Sequence, residues 1–348
     1  MTEPQVPTRR TLLRPSEPPP GWGRSATVGL SIGIAAVLAL LAVRLFSPVS
    51  AGDALSDAAQ DFITLSASVI IESLPFVFLG IVLSIAVQLW LPADFLTRRL
   101  PSNGFLRRAI ISLLGILLPV CECGNVPLAR GLLQRGLTVG ESMTFLLAAP
   151  ILNPVTIITT YQAFGWDDGI LFWRIVGGFL IANLVGWVFS RHPDPTSMLT
   201  PTFQELCRRE HADHSSKVHR GARMFIEETS AMLPALFVGS AVAGLIQVAA
   251  SRDILITLGQ NPVLSVFALM LLAFVVALCS NVDVFFVLAF GSTFMPGAIV
   301  AFLVFGPMID VKMLALMRTT FTTRTLVQLT AIVALASAAL GLGVNLAA

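Results

Sequence analysis

The sequence predicts an all-α polytopic membrane protein, on three observations. Of its 348 residues, 55% are hydrophobic and only 12% charged, about half the charged share of a soluble domain. Mean hydropathy is +0.83. Apolar stretches long enough to span a hydrocarbon core, about 20 residues each, recur along the chain. Lipid offers backbone groups no hydrogen-bond partner, so such stretches must be helical. This composition excludes a soluble enzyme or a disordered scaffold. A net charge of +2 argues against a polyanionic partner, so no nucleic acid is expected. Four cysteines do not suggest a secreted disulfide framework.

In chain order, residues 1–24 form a polar tail holding Pro4, Pro7, Pro15, Pro18, Pro19, Pro20 and four arginines. It cannot bury a core and is expected to be a disordered cytoplasmic tail. Residues 25–47 form an extra transmembrane helix, too long for a signal sequence and interrupted by Arg44. Further apolar stretches cover 62–91, 109–136, 138–164, 169–190, 222–250, 262–293, 296–317 and 323–346. Basic residues mark cytoplasmic loops. Arg98, Arg99, Arg107 and Arg108 place 92–108 inside; Arg191, Arg208, Arg209, Lys217 and Arg220 do the same for 191–221.

Between these two inside segments the chain must cross an even number of times, yet three apolar stretches intervene. One must therefore enter and leave on the same side. The stretch 109–136, broken at Pro119–Gly124, is expected to be a re-entrant hairpin, and 262–293 its counterpart. The sequence also repeats itself. Leu74, Pro75, Phe78 and Gly80 match Leu233, Pro234, Phe237 and Gly239; Cys121 matches Cys279; Asn125 matches Asn281. Phe145, Leu146, Pro150 and Asn153 match Phe302, Leu303, Pro307 and Asp310. Two inverted-topology repeats follow, 60–190 and 222–347, joined by a cytoplasmic histidine-containing linker at 191–221. The N-terminus then lies in the cytoplasm and the C-terminus outside it. Such symmetry places a transport site where broken segments meet near the midplane.

The breaks carry the candidate chemistry. Pro119, Pro127, Pro150, Pro154 and Pro307 are expected to interrupt helices. Around them stand Cys121, Glu122, Cys123, Asn125, Asn153, Cys279, Asn281, Asp283 and Asp310, the predicted substrate-binding set. A charge inside a membrane costs roughly 2.5–3.5 kcal/mol, so Glu122, Asp283, Asp310 and Glu72 call for a function. The structural alternative pairs Glu122 with Arg130, or Lys312 with Asp310. Glu227 and Glu228 fit an interfacial position. Thiolates suit soft metals and metalloids, so Cys121, Cys123 and Cys279 form a candidate three-sulfur metal site; alternatively each is a small buried hydrophobe. Cys207, His211, His214 and His219 could hold a metal in the linker, or simply line a solvated amphipathic segment.

The run from Pro119 through Cys121, Glu122, Cys123, Asn125 and Pro127 to Arg130, followed by Phe145 to Pro154, resembles the signature of the YraQ/ArsP-type predicted permeases. The resemblance covers about 60 to 345. It implies a bacterial plasma-membrane permease, a family in which some members export trivalent organoarsenicals and others are linked to soft-metal export. The expected function is a secondary transporter exporting a small thiophilic solute by alternating access. It would have no resident cofactor, a soft metal or metalloid as cargo, and possible H+ coupling through the buried carboxylates. No nucleotide-binding P-loop is present. The alternatives are an intramembrane thiol-redox enzyme and a membrane subunit working with a soluble metal-handling partner.

Overall fold

The computed structural model describes residues 57–90, 100–118, 120–166, 168–212, 217–249, 261–289 and 294–347. The predicted tail and extra helix lie outside these residues, as do Pro119 and His214. Within them the regular structure is helical: α1 (Asp57–Trp90), α2 (Gly104–Ser112), α3 (Leu114–Leu117), α4 (Glu122–Gln134), α5 (Val139–Ala148), α6 (Pro154–Phe164), α7 (Ile170–Ser190), α8 (Pro201–Ala212), α9 (Lys217–Ala249), α10 (Leu264–Val276), α11 (Asp283–Leu288), α12 (Pro296–Met308), α13 (Val311–Met317) and α14 (Thr323–Ala347). Among the described residues, five helical segments are long and apolar enough to cross a membrane. The chain is a multi-pass, all-α membrane protein.

α1 and α9 lie antiparallel, with Gly221 against Leu89 at one end and Gly244 against Ser66 at the other. α4 runs alongside α1 in the same direction. The approach is close: a Cβ on Gly80 would stand 2.2 Å from the Gly124 carbonyl oxygen, so only glycine fits that crossing.

α5 and α6 form one interrupted segment. A capping box between Thr138 and Glu141 starts α5. Asn153 restarts the helix after the interruption, accepting from Val155 N at 3.0 Å, with Pro154 in the first turn, where its missing N–H is harmless. Together α5 and α6 run antiparallel to all of α7. Gly140 abuts Gly186 and Ser190, Ile151 covers Gly178, and Thr160 meets Arg174. The α12–α13 segment is interrupted in the same way, and Asp310 caps α13 by accepting from Met313 N.

The segment 104–134 goes out and back beside this frame. On the outward arm Asn183 Nδ2 donates to Ser112 Oγ at 3.0 Å, and Gly115 touches Ala149. On the return arm Ser142 Oγ donates to Ala129 O at 3.5 Å; on the outward arm Arg107 pairs with Glu141 at the start of α5. The segment 261–289 is anchored at its start by Asn345. Asn345 donates to Pro262 O at 3.0 Å and accepts from Gly297 N at 2.8 Å, joining the start of α10 to the start of α12.

The linker is more ordered than a solvated segment requires. Asp194 accepts from Thr196 N and Oγ1, bonds that hold its carboxyl below the usual range. Thr200 N donates to Thr320 O at 2.8 Å, and Thr322 N donates to Met198 O at 2.9 Å. These main-chain bonds seat 198–203 on the α13–α14 turn.

Candidate functional site

The site is assembled by two breaks. Upstream of α4, Cys121 takes an extended backbone (φ −71°, ψ 173°) and makes Glu122 the first helical residue. α10 ends where Ala277 turns left-handed at φ 51°, a strained geometry for a residue with a Cβ. The chain then closes a turn in which Val282 N and Asp283 N donate to Cys279 O at 2.9 and 3.0 Å.

That turn aims donors at Glu122. Its Oε2 accepts from Ser280 Oγ at 3.1 Å, Ser280 N at 3.4 Å and Cys279 Sγ at 3.8 Å. Its Oε1 meets Lys312 Nζ at 3.4 Å, and Lys312 also donates to Ala277 O at 3.3 Å. Both charged side chains are fully buried, at 1% exposure each. A buried pair survives only when its remaining valences are hydrogen-bonded, and here the second break supplies those bonds.

The thiols converge beside the carboxylate. Cys121 contacts both Cys123 and Cys279. The ligand atoms of Cys121, Glu122 and Cys279 lie within 4.8 Å of one another. Cys123 is equally buried but is not part of that trio. The chemistry offered is two soft sulfurs and one hard oxygen around a point to which Lys312 brings positive charge.

The other predicted residues stand around this centre. Asn125 is fully buried and neither side-chain polar atom has a partner among the described residues. Asn153 Nδ2 donates to Val120 O at 3.4 Å, bracing the first break. Asn281 Oδ1 accepts from Thr156 Oγ1 at 3.0 Å. Asp283 accepts from Arg174 Nη2 at 2.7 Å, and Arg174 also reaches Ser280 O and Thr160 Oγ1. Asp310 Oδ2 has no partner among the described residues.

Five expectations need correction or placement. Pro127 does not break its helix: α4 runs through it. It is the sixth residue of that helix, so its missing N–H forfeits a single bond, and the tight α1–α4 seam holds the rest. Pro307 also sits inside a helix, one residue before α12 ends. Glu122 pairs with Lys312 rather than with Arg130, which instead donates from Nε to Glu228 at 2.8 Å. Glu228 is buried within the protein at 2% exposure. Arg130 further donates to Thr319 O at 3.1 Å and Thr320 Oγ1 at 2.9 Å, and its guanidinium lies 4.6 Å over the Phe203 ring. Of the linker metal pattern, Cys207 and His211 stand four apart on α8, and His219 is exposed on α9.

Sequence reasoning overlooked Arg174. The signal was present, because an arginine in an apolar run costs as much as a carboxylate. With it, the three innermost ion pairs, Arg130–Glu228, Arg174–Asp283 and Lys312–Glu122, each join the first half of the chain to the second.

Comparison with known proteins places the chain in a family. Residues 58–346 match the ArsP_1 family, described as predicted permease. UPF0718 protein YcgR of Bacillus subtilis (strain 168) is 34% identical over 257 residues, 74% of this chain and 87% of its own. A Streptococcus mutans protein whose name describes a two-component membrane permease complex subunit is 32% identical over 75% of this chain and 87% of its own. UPF0718 protein YraQ of Escherichia coli (strain K12) is 27% identical over 31% of this chain and 30% of its own. No solved structure matches.

Proposed function

The chain belongs to the ArsP-type family of predicted permeases, and from that premise we propose that it is a secondary transporter exporting a small thiophilic solute, a soft metal ion or trivalent organoarsenical-like species, across the bacterial plasma membrane. The observation that carries the reading is the buried trio of Cys121, Glu122 and Cys279, drawn from two different breaks. Two thiols from opposite halves suit a soft electrophile, and a site shared by both halves is remade whenever they rock against each other. The unpartnered Asn125 amide and Asp310 Oδ2 leave further polar groups for a cargo. Cys123 joins when Cys121 is engaged.

In this reading 104–134 and 261–289 are re-entrant hairpins of two inverted repeats, with the N-terminus inside and the C-terminus outside. Arg130–Glu228, seated beneath the linker helix α8, closes the cytoplasmic side. Arg174–Asp283 closes the other. Solute arriving from the cytoplasm opens the first pair, displaces Lys312 from Glu122, and is released as the second pair opens. Glu122, Asp283 or Asp310 then carries the coupling H+.

The test is flux in proteoliposomes with a panel of thiophilic cations and trivalent organoarsenicals, comparing wild type with Cys121→Ala and Cys279→Ala. Loss of flux for one class of solute in both variants supports the reading; unchanged flux in both removes the thiol site. Transport indifferent to a pH gradient removes H+ coupling.

A second reading is favoured by the relative named as a two-component permease subunit. Here the chain works with a soluble metal-handling partner that docks on the linker, where Cys207, His211, His214 and His219 cluster in sequence. Deletion of 205–219 that leaves export in cells intact overturns it. An intramembrane thiol-redox role for Cys121 and Cys123 is removed if alkylation trapping finds their oxidation state constant.

A further inference from the structure

Where α2 leans on the C-terminal end of α7, the surface holds a groove of about 560 Å³ whose walls include Phe105, Arg108, Leu180, Leu184, Trp187 and Arg191. Its two ends differ. Phe105 and Leu180 are more than half exposed, and Leu184 and Trp187 nearly so, giving an apolar floor on a face that no described residue covers. At the other end stand two guanidiniums. Arg191 lies 4.9 Å over the Trp187 ring. Arg108 is only 7% exposed, yet its Nε is buried with no hydrogen-bond partner among the described residues.

The charges around Arg108 sharpen the point. It feels repulsion from Arg191 and attraction from Glu141. Glu141 is already engaged by Arg107 and by Thr138 N. The groove therefore holds two cations whose nearest carboxylate is spent elsewhere. A buried cation without a counter-charge is costly, and a guanidinium is shaped to bind phosphate oxygens. A tryptophan at the polar end of an apolar groove fits the depth of a lipid headgroup.

We propose that this groove binds one anionic phospholipid, with its phosphate between Arg108 and Arg191 and an acyl chain along Phe105, Leu180 and Leu184. The apolar floor separates this ligand from free phosphate, which has no use for it. The two guanidiniums separate it from a zwitterionic lipid, whose own cation they repel. The bound lipid lies over the seam where Asn183 bonds Ser112 and Gly186 abuts the Arg108 Cδ, and so fastens the outer arm of the first hairpin to α7. The proposal is independent of the transported solute.

The test uses the full chain, delipidated in detergent, and native mass spectrometry with phosphatidylglycerol or phosphatidylcholine of the same acyl composition. Wild type is expected to retain phosphatidylglycerol with a preference of about tenfold, and Arg191→Gln and the Arg108→Gln/Arg191→Gln double variant to lose it. Because Arg191 is exposed, its variant keeps the test alive if loss of the buried Arg108 prevents folding. Equal retention of both lipids by wild type overturns the proposal. So does an undiminished preference in Arg191→Gln, or displacement of phosphatidylglycerol by an equal concentration of inorganic phosphate.

Discussion

The break of the first hairpin brings an acceptor to the centre of the molecule, the Glu122 carboxylate, while the break of the second brings donors, Ser280 N, Ser280 Oγ and Cys279 Sγ. Their surroundings differ as much as their chemistry. Every residue of α4 from Glu122 to Leu132 is buried, because α1 and α5 enclose it. α11 is only six residues long, and Val282, Phe285 and Leu288 beside and along it are close to half exposed. Matching sequence positions have thus become one clamped partner and one loosely held partner. The difference assigns the fixed charge to the first half and the adjustable hydrogen bonds to the second.

That contrast can be broken experimentally, most severely at the clamp. A Cβ at Gly124 would stand 2.2 Å from Val120 Cγ1 and 2.5 Å from Phe76 O. Gly124→Leu is expected to abolish folded protein, seen as loss of the monodisperse peak on size exclusion in detergent. A well-folded variant would mean that α4 is not clamped. Next in size is Glu122→Gln, which leaves Lys312 buried without its anion and should cost about 3–5 kcal/mol. Adding Lys312→Met should recover most of that loss. Denaturation of both variants in detergent checks the cycle, and a single variant as stable as wild type would sink the account of the central pair.

A smaller effect is expected at the second cross-half pair. Thr320→Val removes a hydroxyl acceptor from Arg130 and should cost about 1.5–3 kcal/mol, the range for hydrogen bonds to charged groups. If it costs nothing, Thr319 O and Glu228 hold the guanidinium by themselves. The smallest change is predicted on the open side of the second break. Val282 is 47% exposed, so Val282→Leu should shift stability by no more than about 0.5 kcal/mol. A large loss there would show that both hairpins are clamped alike.

Much of the site was legible before the fold. The breaks at Cys121 and Cys279 follow from proline and polar residues interrupting apolar runs, whereas Pro154, expected only to interrupt a helix, opens α6 with Asn153 as its cap. Partners were not legible. The local structural alternative pairs Glu122 with Arg130, eight residues away, but its counter-charge is Lys312, 190 residues away. Helix position alone does not reveal that Glu228 meets Arg130, 98 residues distant. Pro127 misled for the converse reason: a proline's local penalty is overridden when the helix around it is packed on every side.

The sequence by itself determined that this is a membrane protein, where its helices are interrupted, and which few polar residues had to be accounted for. Those follow from the cost of placing each group in lipid, which is local and additive along the chain. Only the tertiary structure decided which thiols share a carboxylate, which cation neutralises which anion, and that the innermost pairs all bridge the two halves. Those outcomes depend on approaches of about 3 Å between segments far apart in the chain, and no local rule fixes them.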